Sequence, residues 1–413
     1  MYIKRHVHDS IKAHISQKEY TIITGARQTG KTTLLRELYR EIKDERRKVY
    51  YISLENVEIL TEINKHPENV FRFMERPGNP LESGLTETIY LLIDEIQYAG
   101  DPSGFLKYLY DTYLENLKII ATGSSAFYID SKFRDSLAGR KMIFQLRTLT
   151  FIEYLDFSER YDLSLELKTI RARADYISLK KRELYEFFNH YLVYGGYPAV
   201  VLENDPEGKK ERLLELRNSY VKRDILESGI KNELEFYNLM ALLAEQVGNL
   251  VNKNEISNTL GIHRETIEHY LSIMQKRFHI ALIRPFYKNL RKELTKMPKV
   301  YFHDPGLRNA LLNRFIALND RVDKGLLLEN YIYLRLLQQQ SDDNVKYWRT
   351  ADGNEVDFVV SSDYENGQAY EVKFDKKLYK QAKYQKFKNQ YPGISLQVIS
   401  YSDERDDCTA LRV

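Results

Sequence analysis

The stretch Gly25-Ala26-Arg27-Gln28-Thr29-Gly30-Lys31-Thr32 constrains this chain more than any other. It follows a short apolar run, Tyr20-Thr21-Ile22-Ile23-Thr24, and precedes a helix-like segment, Thr33-Leu34-Leu35-Arg36-Glu37-Leu38-Tyr39. Strand, glycine loop and helix, in that order, are the context a phosphate-binding loop requires. Gly25 and Gly30 let the backbone turn inward so that its N–H groups converge, and the positive end of the helix dipole adds to them. The expected phosphate cradle is Gly25, Ala26, Arg27, Gln28, Thr29, Gly30, Lys31, Thr32 and Thr33. Lys31 is expected to reach the β- and γ-phosphates and the Thr32 hydroxyl to hold Mg²⁺.

A second strand supports this reading. Thr88-Ile89-Tyr90-Leu91-Leu92-Ile93 is continuously apolar and closes on Asp94-Glu95. A strand buried on both faces of a parallel sheet reads that way, and its C-terminal end opens into the ligand crevice. Asp94 is the expected Mg²⁺ ligand, through water, and Glu95 is expected to polarise the attacking water. A further strand, Lys118-Ile119-Ile120-Ala121, ends in Thr122-Gly123-Ser124-Ser125. Thr122, Ser124 and Ser125 are candidates to sense a γ-phosphate, with Ser124 carried in the expected binding set; the two serines also read as a helix N-cap. Arg134 and Arg140 are candidates to reach that phosphate in the same chain or a neighbour, Arg140 being favoured; a salt-bridged surface arginine is the alternative. With Val49–Leu54 and Met142–Leu146 added, four or five strands alternate with helices, which predicts a parallel sheet flanked by helices up to residue 150.

The rest of the chain is long enough for one or two further domains, since it has 413 residues in all. Hydrophobic residues at 43 % and charged residues at 29 % exclude a disordered chain. The net charge of +3 means that any basic surface must be local. The single cysteine, Cys408, excludes an internal disulfide and a cysteine-based metal site. No apolar run approaches the roughly 18 residues of a membrane span, and Met1-Tyr2-Ile3-Lys4-Arg5-His6 lacks a signal-like apolar core, so a cytoplasmic protein with no membrane partner is expected.

Residues 151–250 read as mostly helical, interrupted at Tyr194-Gly195-Gly196-Tyr197-Pro198, a turn of structural character. Arg223-Asp224 reads either as a structural pair or as an approach to the nucleotide. Three helical segments follow: Leu239–Val247, Lys253–Gly261, and one opening at His263 with Ile267, Tyr270, Leu271 and Met274 on one face. Two helices joined by a glycine turn form a helix-turn-helix signature. The strand-like stretches Ile280–Phe286 and Lys299–Phe302 then form a wing. Lys276, Arg277, Arg284, Lys288, Arg291 and Lys292 suit phosphate contacts; service as a protein-contact module is the alternative.

The C-terminal third carries a second constellation. In Glu371-Val372-Lys373 the outer two residues share one strand face. Asp357 lies on the preceding strand and Glu329 on a helix, Gly325 to Gln339. Two carboxylates, a lysine and a further glutamate are the acidic set of metal-dependent phosphodiester cleavage, with Glu329, Asp357 and Glu371 as Mg²⁺ or Mn²⁺ ligands and Lys373 orienting the nucleophile. Ordinary strand charges on a solvated face are the plain alternative. The set makes a demand on register. A tight turn on Asn366-Gly367 would place Asp357 opposite position 376, whereas a wide loop centred near Tyr364 would place it opposite Glu371. The site therefore requires the wide loop, against the usual preference for a two-residue Asn-Gly hairpin.

With both ends in view, the chain resembles a prokaryotic family of AAA-type ATPases with a helix-turn-helix module and a C-terminal restriction-endonuclease-like domain. The resemblance rests on Gly25–Thr32, Leu91–Gln97, Thr122–Ser125, Leu137–Arg140, Leu149–Tyr154, Gly195–Pro198, Arg223-Asp224 and the Asp357/Glu371/Lys373 set. It implies ATP rather than GTP, and a PD-(D/E)xK nuclease-like fold at the end. The expected architecture is α/β: a P-loop AAA-type domain with a parallel sheet over 1–150, a helical linker or lid over 151–235, a winged-helix-like module over 236–303, and an α/β nuclease-like domain over 304–413. Expected cofactors are ATP and Mg²⁺, with Mg²⁺ or Mn²⁺ at the second site; expected partners are ATP, DNA and, for an arginine acting across subunits, a second copy of the chain. Two functions compete: an ATPase that acts on DNA and cuts it at Asp357, Glu371 and Lys373, and a nucleotide switch that scaffolds proteins with an inactive nuclease-like module.

Overall fold

In the computed structural model, which describes residues 2–80, 87–124, 137–173, 175–287, 289–340, 342–362, 365–402 and 409–413, five apolar runs of the N-terminal part pair side by side. They are β1 (Tyr20–Gly25), β2 (Val49–Ser53), β3 (Ile89–Asp94), β4 (Leu117–Ser124) and β5 (Lys141–Gln145). The sheet is parallel throughout, in the order β2-β3-β4-β1-β5. Alternation along the strands explains why it is covered on both faces. Ile22, Leu91 and Ile119 join the core that holds Phe105, Leu106 and Leu109 of the helix Pro102–Tyr113. Their neighbours Ile23, Leu92 and Ile120 join the core that holds Leu34, Leu35, Leu38 and Ile42 of the helix Lys31–Asp44. Strands sandwiched in this way must be apolar at every position, and β1 and β3 are buried along their whole length.

The chain forms two compact units, one comprising Met1–Arg147 with Lys276–Phe278, the other Thr148–Gln275 and His279–Val413. In the second unit the runs that carry the resemblance but no chemistry meet in one junction. Thr150 and Glu153 form a capping box at the start of the helix Phe151–Phe157. The Leu149 N–H donates to the Gly196 carbonyl at 2.7 Å. Gly195 has φ +74°, and a Cβ there would lie 2.2 Å from Asp304 Oδ1; one on Gly196 would lie 2.4 Å from the Leu149 oxygen. Asp304 accepts from the N–H groups of Gly196 at 2.8 Å and Leu307 at 2.9 Å. Burial pushes its carboxyl up to about 6, against the pull of those N–H groups. Asp224 is fully buried and pairs with His279 Nε2 at 2.7 Å, while Arg223 pairs with Glu227 at 3.1 Å. Asp224 is thus a buried partner of His279.

Three helices, Glu233–Glu245, Lys253–Leu260 and Arg264–Lys276, precede the antiparallel pair β6 (Ile280–Ile283) and β7 (Lys299–Phe302). Asn252 caps the second helix, and Gly261, in the left-handed region at φ +68°, ends it. On its other edge β7 is held by bonds from Val251 N to Pro298 O and Gly248 N to Val300 O, both 2.8 Å. The last sheet contains β8 (Val345–Arg349), β9 (Glu355–Ser361), β10 (Gly367–Asp375) and β11 (Ile394–Ser402) in the order β11-β10-β9-β8. β10 and β11 are parallel and the other pairs antiparallel. The helix Lys324–Leu336 packs on β10. One apolar core runs from Leu149 to Leu411, so the segments read from sequence as linker, winged module and nuclease-like domain share a single interior. Among the described residues no helix is long and apolar enough to cross a membrane.

Candidate functional site

The phosphate loop leaves β1 and enters the helix Lys31–Asp44 through Gly30, whose φ of +92° a side chain would strain. Gly25 is required for a second reason: a Cβ there would lie 2.0 Å from the Leu146 oxygen. Thr29 is buried, and its hydroxyl donates to the Ala26 carbonyl at 2.9 Å. Arg5 buttresses the loop from behind. It is buried and donates to the Thr29 carbonyl at 2.7 Å and the Arg147 carbonyl at 2.8 Å. Lys31 curls over the loop, donating to the carbonyls of Gly25 at 3.0 Å and Ala26 at 2.8 Å. Ala26 is buried, Arg27 half-buried, and Gln28 and Thr33 exposed, with Gln28 in the left-handed region at φ 56°.

Asp94 closes this site. The Thr32 hydroxyl donates to its Oδ2 at 2.9 Å, and the Tyr51 hydroxyl donates to the same oxygen at 2.9 Å. Burial, and then the Asp94 charge, push the Tyr51 phenol up to about 12. Because β4 lies between β1 and β3, Thr122 stands beside Asp94. Its hydroxyl donates to Asp94 Oδ1 and accepts from the Glu95 N–H at 3.1 Å. Of the three candidate sensing residues, Thr122 is thus the one seen to touch this set; the Ser124 side chain and Ser125 lie outside the described residues. Glu95 is in the left-handed region at φ 58°, and Gln97 donates to its carboxylate. Sequence reasoning missed Arg5, Tyr51 and Gln97. A hydroxyl and a buried carboxylate beside a glycine loop and a lysine are the donor chemistry that Mg²⁺ with a nucleotide polyphosphate requires, so Thr32 and Asp94 fit as ligands, directly or through water.

Arg140 requires a correction. It precedes β5, whose Lys141 pairs with Tyr20 at the start of β1, and the loop leaves the far end of β1. Five strand steps at about 3.3 Å place it on the order of 17 Å from the loop. Arg140 instead pairs with Asp111 at 2.7 Å and lies over the Tyr110 ring. It does not reach a nucleotide bound in its own chain. Arg134 lies outside the described residues.

In the second unit the register requirement is met. β9 and β10 pair Gly367 with Ser361 and Tyr370 with Phe358, so the next step sets Glu371 opposite Asp357. β9 ends at Ser361 and β10 begins at Gly367, and the Val372 N–H donates to Asp357 Oδ2 at 2.8 Å. Lys299 of β7 enters the cluster, its side chain 2 % exposed, with Nζ 2.5 Å from Glu355 Oε1, 3.3 Å from Glu329 Oε1 and 3.7 Å from Asp357 Oδ1. The Tyr301 hydroxyl donates to Glu329 Oε1 at 2.6 Å. Tyr384 donates to Glu371 Oε1 at 2.6 Å, and Lys373 also donates to that oxygen. Burial and Asp357 push Glu371 up against the pull of Lys373; burial also pushes Glu329 up, against the pull of Lys299. Burial opposes the charge on Lys299, but Glu329, Asp357 and Glu355 outweigh it and raise the ammonium above its ordinary range. Burial likewise opposes ionisation of Glu355, which Lys299 and Arg349 reverse, holding it below the usual carboxylate range.

Among the described residues no group of three or more His, Cys, Asp or Glu side chains has the geometry to hold a metal ion. Chain donors engage one oxygen each of Glu329, Asp357 and Glu371, the Lys299 ammonium lies among Glu329, Glu355 and Asp357, and Glu371 Oε2 is buried without a hydrogen-bond partner among the described residues. Lys299 and Glu355 were missed: from sequence Lys299 is only the first residue of a short strand-like stretch, Lys299–Phe302, far along the chain from the acids it meets.

A cavity of about 1140 Å³ lies along the helix Arg264–Lys276, the β6–β7 pair and β8. Its lining carries five cationic residues, Lys253, Arg264, Arg284, Lys296 and Lys346, against three acidic ones, Glu268, Glu293 and Asp343, which makes it locally basic. Glu268 pairs with Lys253 at 2.8 Å and Arg264 at 3.3 Å. Of the basic residues expected at the wing, Arg284 lines this groove, Arg277 is buried, and Lys288 and the Lys292 side chain are outside the described residues.

Three family models match successive parts of the chain. The AAA domain family matches residues 17–155, a domain of unknown function (DUF8612) matches 185–316, and another (DUF4143) matches 324–410. Two uncharacterized proteins of Methanocaldococcus jannaschii are similar along most of the chain. One is 26 % identical, covering 96 % of this chain and 86 % of its own. The other is 29 % identical, covering 92 % and 81 %. Among solved structures, AMPPCP-bound DnaA from Aquifex aeolicus is 16 % identical over 67 % of this chain and 90 % of its own, with a TM-score of 0.33. The parallel sheet, the glycine loop and the Thr32–Asp94 pair all lie within the residues, 17–155, that match the AAA domain family.

Proposed function

We propose that this chain hydrolyses ATP at the phosphate loop and uses the result to act on DNA held at the winged-helix-like module, residues 236–303. The observation that carries the ATPase half is the convergence of Lys31, Thr32 and Asp94 on one loop, with the Thr32 hydroxyl 2.9 Å from Asp94. Mg²⁺, bound with ATP, would supply charge neutralisation across the phosphates. Thr32 and Asp94 hold that position, and Lys31 exchanges its loop carbonyls for phosphate oxygens. Glu95 orients the attacking water and takes its proton; Thr122 and Gln97 fix the Glu95 backbone and carboxylate. Thr122 joins Asp94 to Glu95, so it is a positioning residue through which a change at one can reach the other.

The DNA half rests on the basic groove beside the helix Arg264–Lys276. Phosphate contacts release counterions, so affinity falls steeply with salt. The test is DNA binding by the wild type and by Arg284→Ala/Lys296→Ala across a salt series, alongside ATP turnover. Weaker binding and a shallower salt slope in the variant support the groove. Salt-insensitive binding of a protein partner instead of DNA favours the scaffold reading. DNA cutting at Asp357, Glu371 and Lys373 is no part of this activity, since the Lys299 ammonium already stands among the acids of that cluster.

A further inference from the structure

The second acidic cluster contains the residue types of a metal-dependent phosphodiesterase and sets Asp357 opposite Glu371. A divalent ion there would need free carboxylate oxygens converging at about 2.0–2.6 Å. What converges instead is the Lys299 ammonium, with three carboxylate oxygens from Glu355, Glu329 and Asp357 within 3.7 Å. Further donors crowd the cluster: Tyr301 donates to Glu329 Oε1, the Val372 N–H to Asp357 Oδ2, and Tyr384 and Lys373 both to Glu371 Oε1, while Glu371 Oε2 is buried without a hydrogen-bond partner among the described residues.

The element that carries Lys299 is not a loose arm. β7 bonds to β6 along one edge and to residues 248–251 along the other. β8 is tied to the same region, with Tyr347 N–H donating to the Arg284 carbonyl at 3.1 Å and Phe286 N–H to the Tyr347 carbonyl at 2.6 Å. A lysine on a strand fixed at both edges is a resident of the cluster. We propose that Lys299 takes the place of the divalent cation, making Glu329, Glu355 and Asp357 a closed ion-pair node that fastens β7 to the C-terminal sheet. The nuclease-like fold then serves as a binding and bracing module that needs no metal. This inference is independent of ATP hydrolysis and of DNA binding by the groove.

The test is Mn²⁺ titration of the nucleotide-free full chain, followed by the loss of the free-ion paramagnetic resonance signal, with the melting midpoint as a second readout. In the wild type, Asp357→Asn is expected to leave Mn²⁺ binding unchanged. Lys299→Met is expected to bind Mn²⁺ at least tenfold more tightly than the wild type and to gain a Mn²⁺-dependent rise in melting midpoint. Lys299→Met/Glu355→Gln, with one buried negative charge fewer, serves if the single variant does not fold. A wild-type Mn²⁺ site that Asp357→Asn removes overturns the proposal. So does a folded lysine variant that gains no Mn²⁺.

Discussion

The two carboxylate sites of this chain solve the same electrostatic problem in different ways. At the phosphate loop, Asp94 is buried among hydroxyls, those of Thr32, Thr122 and Tyr51, and its site leaves cationic charge to Lys31 and to what binds there. In the C-terminal cluster, Glu329, Glu355 and Asp357 surround an ammonium supplied by the chain. Hydroxyls can reorient and share a carboxylate with a metal, whereas an ion pair held at both ends cannot admit one without leaving a buried charge unpaired. The difference teaches that a complete set of acidic residues does not define a metal centre; the counter-charge decides.

The largest expected effect sharpens the first half of the comparison. Lys31→Met should lower ATP turnover by about 100-fold or more, a loss in the range of a removed transition-state donor. Asp357→Asn should leave turnover unchanged. Steady-state phosphate release checks both, and equal losses would break the distinction between the sites.

Next comes stability. Lys299→Met leaves buried carboxylates without their cation and should cost about 3–5 kcal/mol. Chemical denaturation measures it, and a loss below about 1 kcal/mol would mean that the cluster is solvated and open.

Asp304 offers a third solution, a buried acid satisfied by backbone N–H groups. Its folded pKa, about 6, lies above the ordinary carboxylate value. The folded state therefore binds the proton more tightly, and this contribution to stability is fully present below about pH 4 and is lost as pH rises through 6. Asp304→Asn should flatten the wild-type stability profile across that window, and Asp304→Ala should cost about 1–3 kcal/mol by orphaning the Gly196 and Leu307 N–H groups. Denaturation at a series of pH values reads out both.

The smallest effect is at Arg140. As a half-exposed partner of Asp111, its replacement by alanine should change stability by about 0.5 kcal/mol or less and leave ATP binding by the isolated chain unaltered. A large loss of ATP binding would contradict its position at the start of β5.

Much of this was legible in the chain because it is local. A strand, two glycines, a lysine and a threonine occupy consecutive positions, and β1, β3 and β10 declare themselves by continuous apolarity or by alternation. The pairing of Asp357 with Glu371 was legible only as a condition: sequence offers a tight Asn-Gly turn and a wide loop, and the register of β9 with β10 is what selects between them. What sequence hid are contacts between elements. Arg5 supports the Thr29 carbonyl from an N-terminal segment that carries no motif. The turn at Gly195-Gly196 looked merely tight until Asp304 and the Leu149 carbonyl occupied the space its side chains would need. Lys299 lies in the four-residue strand β7, and nothing in that run says which face its side chain enters or which acids await it.

The measurement that tests the contrast most directly is the number of Mn²⁺ ions bound per full-length chain with a non-hydrolysable ATP analogue. One ion is predicted, lost in Asp94→Ala and retained in Asp357→Asn. A second ion, lost in Asp357→Asn, would contradict the account.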